Sequence, residues 1–304
     1  MTADFHNRLA LVAGEIETTL AEILDVATEP SPPPRLVEAM QYAVLGGGKR
    51  LRPFLVIETA RMLGGDADTA MRAGAAIELL HVYSLVHDDL PAMDDDDLRR
   101  GRPTVHKAYD QATAILVGDA LQTLAFETLA DGATSADPAI RADLVLTLAR
   151  AAGMGGMAGG QMLDLDAEGR YGTAAPVLDE AAVRRLQAMK TGALLAGAVR
   201  LGAIIGQADL DADAALQSYG EALGAAFQVA DDILDIESSS DALGKATGKD
   251  AGRGKATLVG VLGLAAAKAE RDRLAQAAVS ALDGFGPQAD VLRAAARFSA
   301  DRRS

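Results

Sequence analysis

Six of the ten residues from Asp88 to Asp97 are aspartates, and Arg99, Arg100 and Arg102 follow in the same stretch, LVHDDLPAMDDDDLRRGRPT (85–104). Clustered carboxylates are hard oxygen donors. They suit Mg²⁺, which takes one or two carboxylates and completes its shell with water and substrate phosphate. On an ideal helix His81, Ser84, Leu85 and Asp88 share one face. Pro91 disturbs that helix, so helical spacing does not place Asp94; a loosened helix end would bring it back towards Asp88. Taken alone, such a run reads most simply as a solvated acidic loop.

A second cluster changes that balance. In FQVADDILD (227–235), Gln228, Asp231, Asp232 and Asp235 fall on one helical stripe among apolar neighbours. Like charges four apart destabilise a helix, and a cation that gathers them removes the penalty. Basic groups form the third element. GGGKRLRP (46–53) sets Lys49, Arg50 and Arg52 beside three glycines, and the spacing of Lys49 and Arg52 allows a shared face. Backbone N–H groups at a helix start also favour phosphate. The GxxxxGK[ST] phosphate loop is absent. Arg99 and Arg100 make a pair capable of bidentate contacts. Lys190 and Thr191 lie in the apolar run LQAMKTGALLAGAV, where a lysine wants an anion. Lys245, Lys249, Arg253 and Lys255 sit on a glycine-rich loop. Each base alone is an ordinary surface residue; together they outline two anion sites around a metal cluster.

Helical periodicity dominates the elements that must position these groups. Helices are expected over 4–27, 36–45, from 51 or 53 onward, and over 67–92, 112–129, 138–157, 178–205, 208–236, 256–282 and 287–300, with loops at 168–176 and 238–255. Pro30 and Pro32 to Pro34 break the first helix. No composition shift or repeat divides the chain, so one all-helical domain over 1–304 is expected. Lys plus Arg is 29 against 43 Asp plus Glu, a net charge of −14 that disfavours nucleic acid and anionic membranes as partners. It should also repel an anionic substrate unless metal ions or basic patches reverse the field. The absence of cysteine excludes disulfides and thiolate chemistry and fits the cytoplasm. MTADFHNRLALVAGEIETTL does not read as a signal peptide, and no uninterrupted apolar run reaches the length of a membrane span, so no membrane anchoring is expected.

GGKRLRP (47–53), DDLPAMD (88–94), GQMLDL (160–165) and DDILD (231–235), supported by KTG (190–192) and FQVADD (227–232), give the chain a close resemblance to the trans-prenyltransferases, or isoprenyl diphosphate synthases. The similarity runs from Tyr42 to Lys255. The resemblance implies an all-α fold of about ten to thirteen helices around a central cavity, in a homodimer. It implies Mg²⁺ ions, three per active site and replaceable by Mn²⁺, held by Asp88 and Asp94 on one wall and Asp231 on the other. They would grip an allylic diphosphate with Arg99, Lys190 and Lys245, while isopentenyl diphosphate lies on Lys49, Arg52, His81 and Arg100. Asp232 and Asp235 would act behind the metal or through water. Diphosphate departure would leave an allylic cation, faced by the Thr191 hydroxyl, the Lys190 carbonyl and the Gln228 amide. Isopentenyl diphosphate would attack it, and the released diphosphate would take the proton.

The family often places its chain-length stop five residues before the first aspartate, here Tyr83 with small Ser84 beside it. That pattern and the two extra residues in DDLPAMD resemble synthases that stop at fifteen carbons, as farnesyl diphosphate. A C20 synthase is the nearest alternative. A non-catalytic regulatory subunit tends to lose aspartates or basic ligands that this chain keeps, and a terpene cyclase lacks GGKRLRP. His106 is read as orienting the loop after the arginines, and Arg302 and Arg303 as a loose counterpart of the relatives' basic tail.

Overall fold

The computed structural model describes residues 2–25, 31–172, 176–242 and 257–301. Lys245, Lys249, Arg253, Lys255, Arg302 and Arg303 lie outside them. The regular structure of the described residues is helical apart from one hairpin of two-residue strands, so the all-α expectation is correct. They divide into two compact units, one of Thr2–Leu148 with Ile204–Gln207, the other chiefly of Ala149–Ala203 and Ala208–Ser304.

The first unit holds α1 (Thr2–Leu24), α2 (Pro34–Val44), α3 (Leu51–Met62), α4 (Ala67–Asp88), β1 (Leu98–Arg99), β2 (Arg102–Pro103), α5 (Val105–Ala108), α6 (Gln111–Ala130) and most of α7 (Pro138–Ala152). The proline run both ends and begins structure: Pro34 is the first residue of α2, where its missing N–H is no loss. Asp66 caps α4 by accepting from Thr69 N at 2.8 Å, and Asp110 caps α6 by accepting from Thr113 N at 2.8 Å. α4 packs against α3 and α6 through Ile77, Leu79, Leu80, Phe54, Leu55 and Leu121, all fully buried. α1 covers α3 and α4, with Phe5 edge-on to Phe54 at 5.5 Å.

α4 ends at Asp88, not at 92. Pro91 has no N–H to continue the ladder and disfavours helical geometry in Leu90 before it. The hairpin is a second departure. Its two-residue turn is Arg100–Gly101, with φ of +52° and +75°, the left-handed pair that matches strand twist. Asn-Gly and Asp-Gly are the usual signals for this turn, and an Arg-Gly turn gives no such cue.

The second unit holds the end of α7, then α8 (Met157–Ala167), α9 (Glu180–Gln187), a π-helical turn (Ala188–Gly192), α10 (Ala193–Ile205), α11 (Leu210–Ala242), α12 (Leu258–Leu262), α13 (Leu264–Ala281), a 3₁₀ turn (Pro287–Ala289) and α14 (Asp290–Ala300). α10 runs on at its end into the first unit. Gly263, at φ +82°, separates α12 from α13 within the expected 256–282. α11 packs on α13 and α14; Val229, Ile233, Leu258, Ala267 and Leu274 share its core. Tyr219 is fully buried and its hydroxyl donates to Leu292 O at 2.8 Å. Among the described residues, 180–205 is long and apolar enough to cross a membrane by composition, but over half of its most apolar window is buried, as in a core helix.

Arg50 knits the first unit together. It sits at φ +48° just before α3, its side chain fully buried. Nη1 donates to Glu78 Oε1 at 2.6 Å, Nη2 to Val44 O at 2.6 Å and Nε to Glu17 Oε1 at 3.1 Å. Burial opposes the charge, but Glu78 and Glu17 more than offset it, and the Arg50 pKa is raised. Removing one partner of such a buried pair strands the other's charge. Arg50→Met should therefore cost about 3–5 kcal/mol, read by urea denaturation, and Arg50→Met with Glu78→Gln should recover part of it. A single variant as stable as wild type would contradict the hub.

Candidate active site

Asp88 is the last residue of α4 and is half-buried, while its neighbour Asp89 is only 3% exposed. Successive helical residues point about 100° apart, so an adjacent pair cannot face one way. Asp89 turns inward and takes Arg99 in a fork: Nε to Oδ1 at 2.8 Å and to Oδ2 at 3.0 Å, Nη2 to Oδ1 at 2.6 Å. Burial pushes the Asp89 pKa up and the Arg99 guanidinium pulls against it. Arg99, expected on the allylic diphosphate, has Nε and Nη2 engaged with this carboxylate. The chain then curls back, and Asp94 N donates to Asp88 O at 2.8 Å. Asp88 and Asp94 of DDLPAMD are thus joined through their backbones, as the loosened-end reading anticipates.

The glycine loop and the hairpin meet nearby. Arg100 donates through Nη1 to Gly47 O, Tyr42 OH donates to Pro103 O at 2.7 Å, and the Arg102 guanidinium lies 4.2 Å from the Tyr42 ring centre. Lys49 is exposed on the loop before α3 and Arg52 is half-buried in its first turn. The shared-face argument for them fails, because Arg50 takes a left-handed conformation and Lys49 precedes the helix. His81, on α4, has its pKa driven well below the ordinary value by burial and then by Arg52, Arg100, Arg99 and Arg50. The charges of these arginines thus act on the His81 imidazole, and Arg50 and Arg99 are themselves paired with carboxylates. These residues belong to one unit, and their grouping is the kind that binds a multiply charged anion.

Tyr83 is 9% exposed and stands perpendicular to His87 at 5.8 Å between ring centres. His87 Nε2 lies 3.0 Å from Ile115 O of α6. Burial and then Asp88 raise the Tyr83 pKa, so its hydroxyl feels that carboxylate. The Ser84 hydroxyl bonds back to His81 O at 2.8 Å.

In the second unit the same division recurs. Asp231 is half-buried on α11, Asp235 is exposed, and Asp232 is 4% exposed. Asp232 accepts from Gln187 Nε2 at 2.6 Å, Gln228 Nε2 at 3.0 Å and Leu258 N at 3.0 Å. Burial raises its pKa against the pull of these donors. The reading of 231, 232 and 235 as one stripe gathered by a cation is corrected: Asp232 is gathered by protein donors and ties α9, α11 and α12 together. The bond from Nε2 also fixes the Gln228 amide, leaving its carbonyl oxygen on the side away from Asp232.

Lys190 and Thr191 lie in the π-helical turn, where one extra residue bulges out of the ladder, a feature common at functional sites. Lys190 Nζ is paired with Asp164 of α8, an 8%-exposed residue of GQMLDL whose partner the sequence did not reveal. Gly160, one turn earlier on α8, lies so close that a Cβ there would overlap the Lys190 backbone nitrogen.

Among the described residues no three acidic or histidine side chains converge on one point. Mg²⁺ takes one or two carboxylates and completes its shell with water and phosphate oxygens. The half-buried Asp88, Asp94 and Asp231 are hard oxygen donors fit for it.

The family model described as Polyprenyl synthetase matches residues 33–285. Farnesyl diphosphate synthase of Escherichia coli (strain K12) is 47% identical over 267 residues, 87% of each chain. Geranylgeranyl pyrophosphate synthase 3, chloroplastic, of Arabidopsis thaliana is 42% identical over 288 residues, 92% of this chain and 78% of that one. Among solved structures, an FPP/GFPP synthase from Zymomonas mobilis matches with a TM-score of 0.87 at 45% identity, covering 98% of this chain and 99% of the other. The fold is that of the prenyl synthases. The chain belongs to the polyprenyl synthetase family and is a prenyltransferase.

Gly160→Ala should push α8 from the π turn and cost about 1–3 kcal/mol in urea denaturation. Gly155→Ala, where a Cβ meets open space, is the control and should cost far less. Equal stability of the two would contradict the close approach.

Proposed function

We propose that this enzyme condenses isopentenyl diphosphate head-to-tail with dimethylallyl and then geranyl diphosphate, releasing (2E,6E)-farnesyl diphosphate. The observation that carries the reading is the set of four motifs in order, GGKRLRP, DDLPAMD, GQMLDL and DDILD, in a chain 47% identical to a farnesyl diphosphate synthase. The family match over 33–285 runs through both compact units and supports their serving one synthase domain.

In this reading Asp88, Asp94 and Asp231 hold Mg²⁺, three ions per active site. When bound, the metal supplies positive charge that stabilises diphosphate as it leaves. Lys49, Arg52, His81 and Arg100 hold isopentenyl diphosphate. Neutral His81 donates a hydrogen bond there without adding charge. Arg99, Lys190 and Lys245 take the allylic diphosphate; Lys190 exchanges Asp164 for it. The Thr191 hydroxyl and the Gln228 carbonyl oxygen turn their negative ends to the developing allylic cation, a preorganised electrostatic stabilisation. No side-chain nucleophile takes part. A cytoplasmic homodimer without membrane anchoring completes the proposal.

Chain length is a steric matter. Each isoprene unit adds about 4 kcal/mol of apolar burial at roughly 0.8 kcal/mol per carbon, so affinity alone would never stop growth. Tyr83 is given that role. Relatives named for geranylgeranyl pyrophosphate and for FPP/GFPP lie at 42% and 45% identity, so the fold accommodates several lengths. With labelled isopentenyl diphosphate and dimethylallyl diphosphate, wild type should release C15 product, and Tyr83→Ala should extend it to C20 or beyond. If Tyr83→Ala still stops at C15, the stop lies elsewhere; if wild type itself releases C20, the farnesyl reading is wrong.

A further inference from the structure

The loop that carries Asp94, between α4 and β1, has no regular structure of its own. Its near side is tied to α4 and its continuation: Asp94 N to Asp88 O at 2.8 Å, Asp95 N to Leu90 O at 3.1 Å and Asp96 N to Asp89 O at 3.2 Å. Asp95 is held at φ +54°, an uncommon conformation for a residue with a side chain. Its far side is tied to Thr104. Thr104 N donates to Asp97 O at 3.0 Å and Thr104 Oγ1 donates to Asp96 O at 2.8 Å.

A hydroxyl has one proton to give. That proton is committed to Asp96 O, so the contact of 3.1 Å between Thr104 Oγ1 and His106 Nδ1 must be a bond donated by the histidine. In the neutral imidazole the tautomer then follows: Nδ1 carries the proton and Nε2 is bare. His106 is 7% exposed, and its Nε2 is buried with no hydrogen-bond partner among the described residues. Leaving a buried acceptor unmet costs stability, so packing alone does not explain an imidazole here. Its one hydrogen bond leads through Thr104 to the acidic loop.

We propose that His106 is a positioning residue, which through Thr104 fixes the backbone at Asp96 and Asp97 and so aims Asp94 at a divalent cation. The inference rests on the reading of Asp94 as a metal-binding carboxylate. Groups behind metal ligands are commonly worth one to two orders of magnitude in metal affinity.

The test uses replacements that keep one ring nitrogen's place each. Asparagine offers a donor near Nδ1, and glutamine reaches the place of Nε2. Binding of Mg²⁺ in the presence of inorganic diphosphate is measured by calorimetry on the full chain, beside the melting temperature without metal. His106→Leu and His106→Gln should weaken Mg²⁺ about tenfold, and His106→Asn should stay close to wild type. Thr104→Val should match His106→Leu, and Thr104→Ser should match wild type. A purely structural histidine would lower the melting temperature and leave Mg²⁺ affinity in place, which overturns the proposal. Rescue by glutamine in place of asparagine overturns it too, since Nε2 would then be the working atom. Wild type that makes product yet binds diphosphate equally with and without Mg²⁺ overturns the metal-binding reading itself.

Discussion

Two adjacent aspartates on a helix point about 100° apart, and both aspartate pairs of this protein are built on that constraint. At 88–89 and at 231–232 the first carboxylate is half-buried and the second turns inside. The inward member is not a spare ligand. Asp89 holds the Arg99 fork and so pins the hairpin to the end of α4. Asp232 collects Gln187, Gln228 and the Leu258 amide, and so pins α9 and α12 to α11. One carboxylate in each pair builds the platform on which the other stands.

Charge sets the second condition. A chain of net charge −14 must still admit diphosphate. Burial first, and then the charges of Arg52, Arg100, Arg99 and Arg50, push the His81 pKa well below its ordinary value. Arg50, the most buried of them, is matched by Glu78 and Glu17. Their carboxylates take up its charge within the protein, so Lys49, Arg52 and Arg100 are the candidates for a ligand. Lys190 is matched by Asp164 in the same way.

The helices were legible from periodicity, and α6 and α14 fall within about three residues of their expected ends. What periodicity does not encode is local. Pro91 disturbs α4 as expected, but the helix ends at Asp88 and not at 92, although the apolar pattern continues. The Arg100–Gly101 turn is built on a left-handed arginine, which no propensity favours. The π turn at 188–192 inserts a residue that an ideal period of 3.6 cannot show, and Gly160 beneath it was visible only as part of a motif. The candidate residues were legible as types and order. Their partners were not: Asp164 with Lys190 is a tertiary pairing that spacing does not encode, and Asp89 with Arg99 and Thr104 with His106 depend on how the loop and hairpin turn.

The division of labour within a pair is most directly tested at the second motif. Mn²⁺ binding in the presence of inorganic diphosphate, followed by electron paramagnetic resonance, should be compared in Asp231→Asn and Asp232→Asn, with urea denaturation of each. The account expects Asp231→Asn to lose Mn²⁺ affinity by about tenfold or more at wild-type stability. Asp232→Asn should keep its metal and lose stability. The reverse pattern, with metal lost at 232 and stability lost at 231, would contradict it.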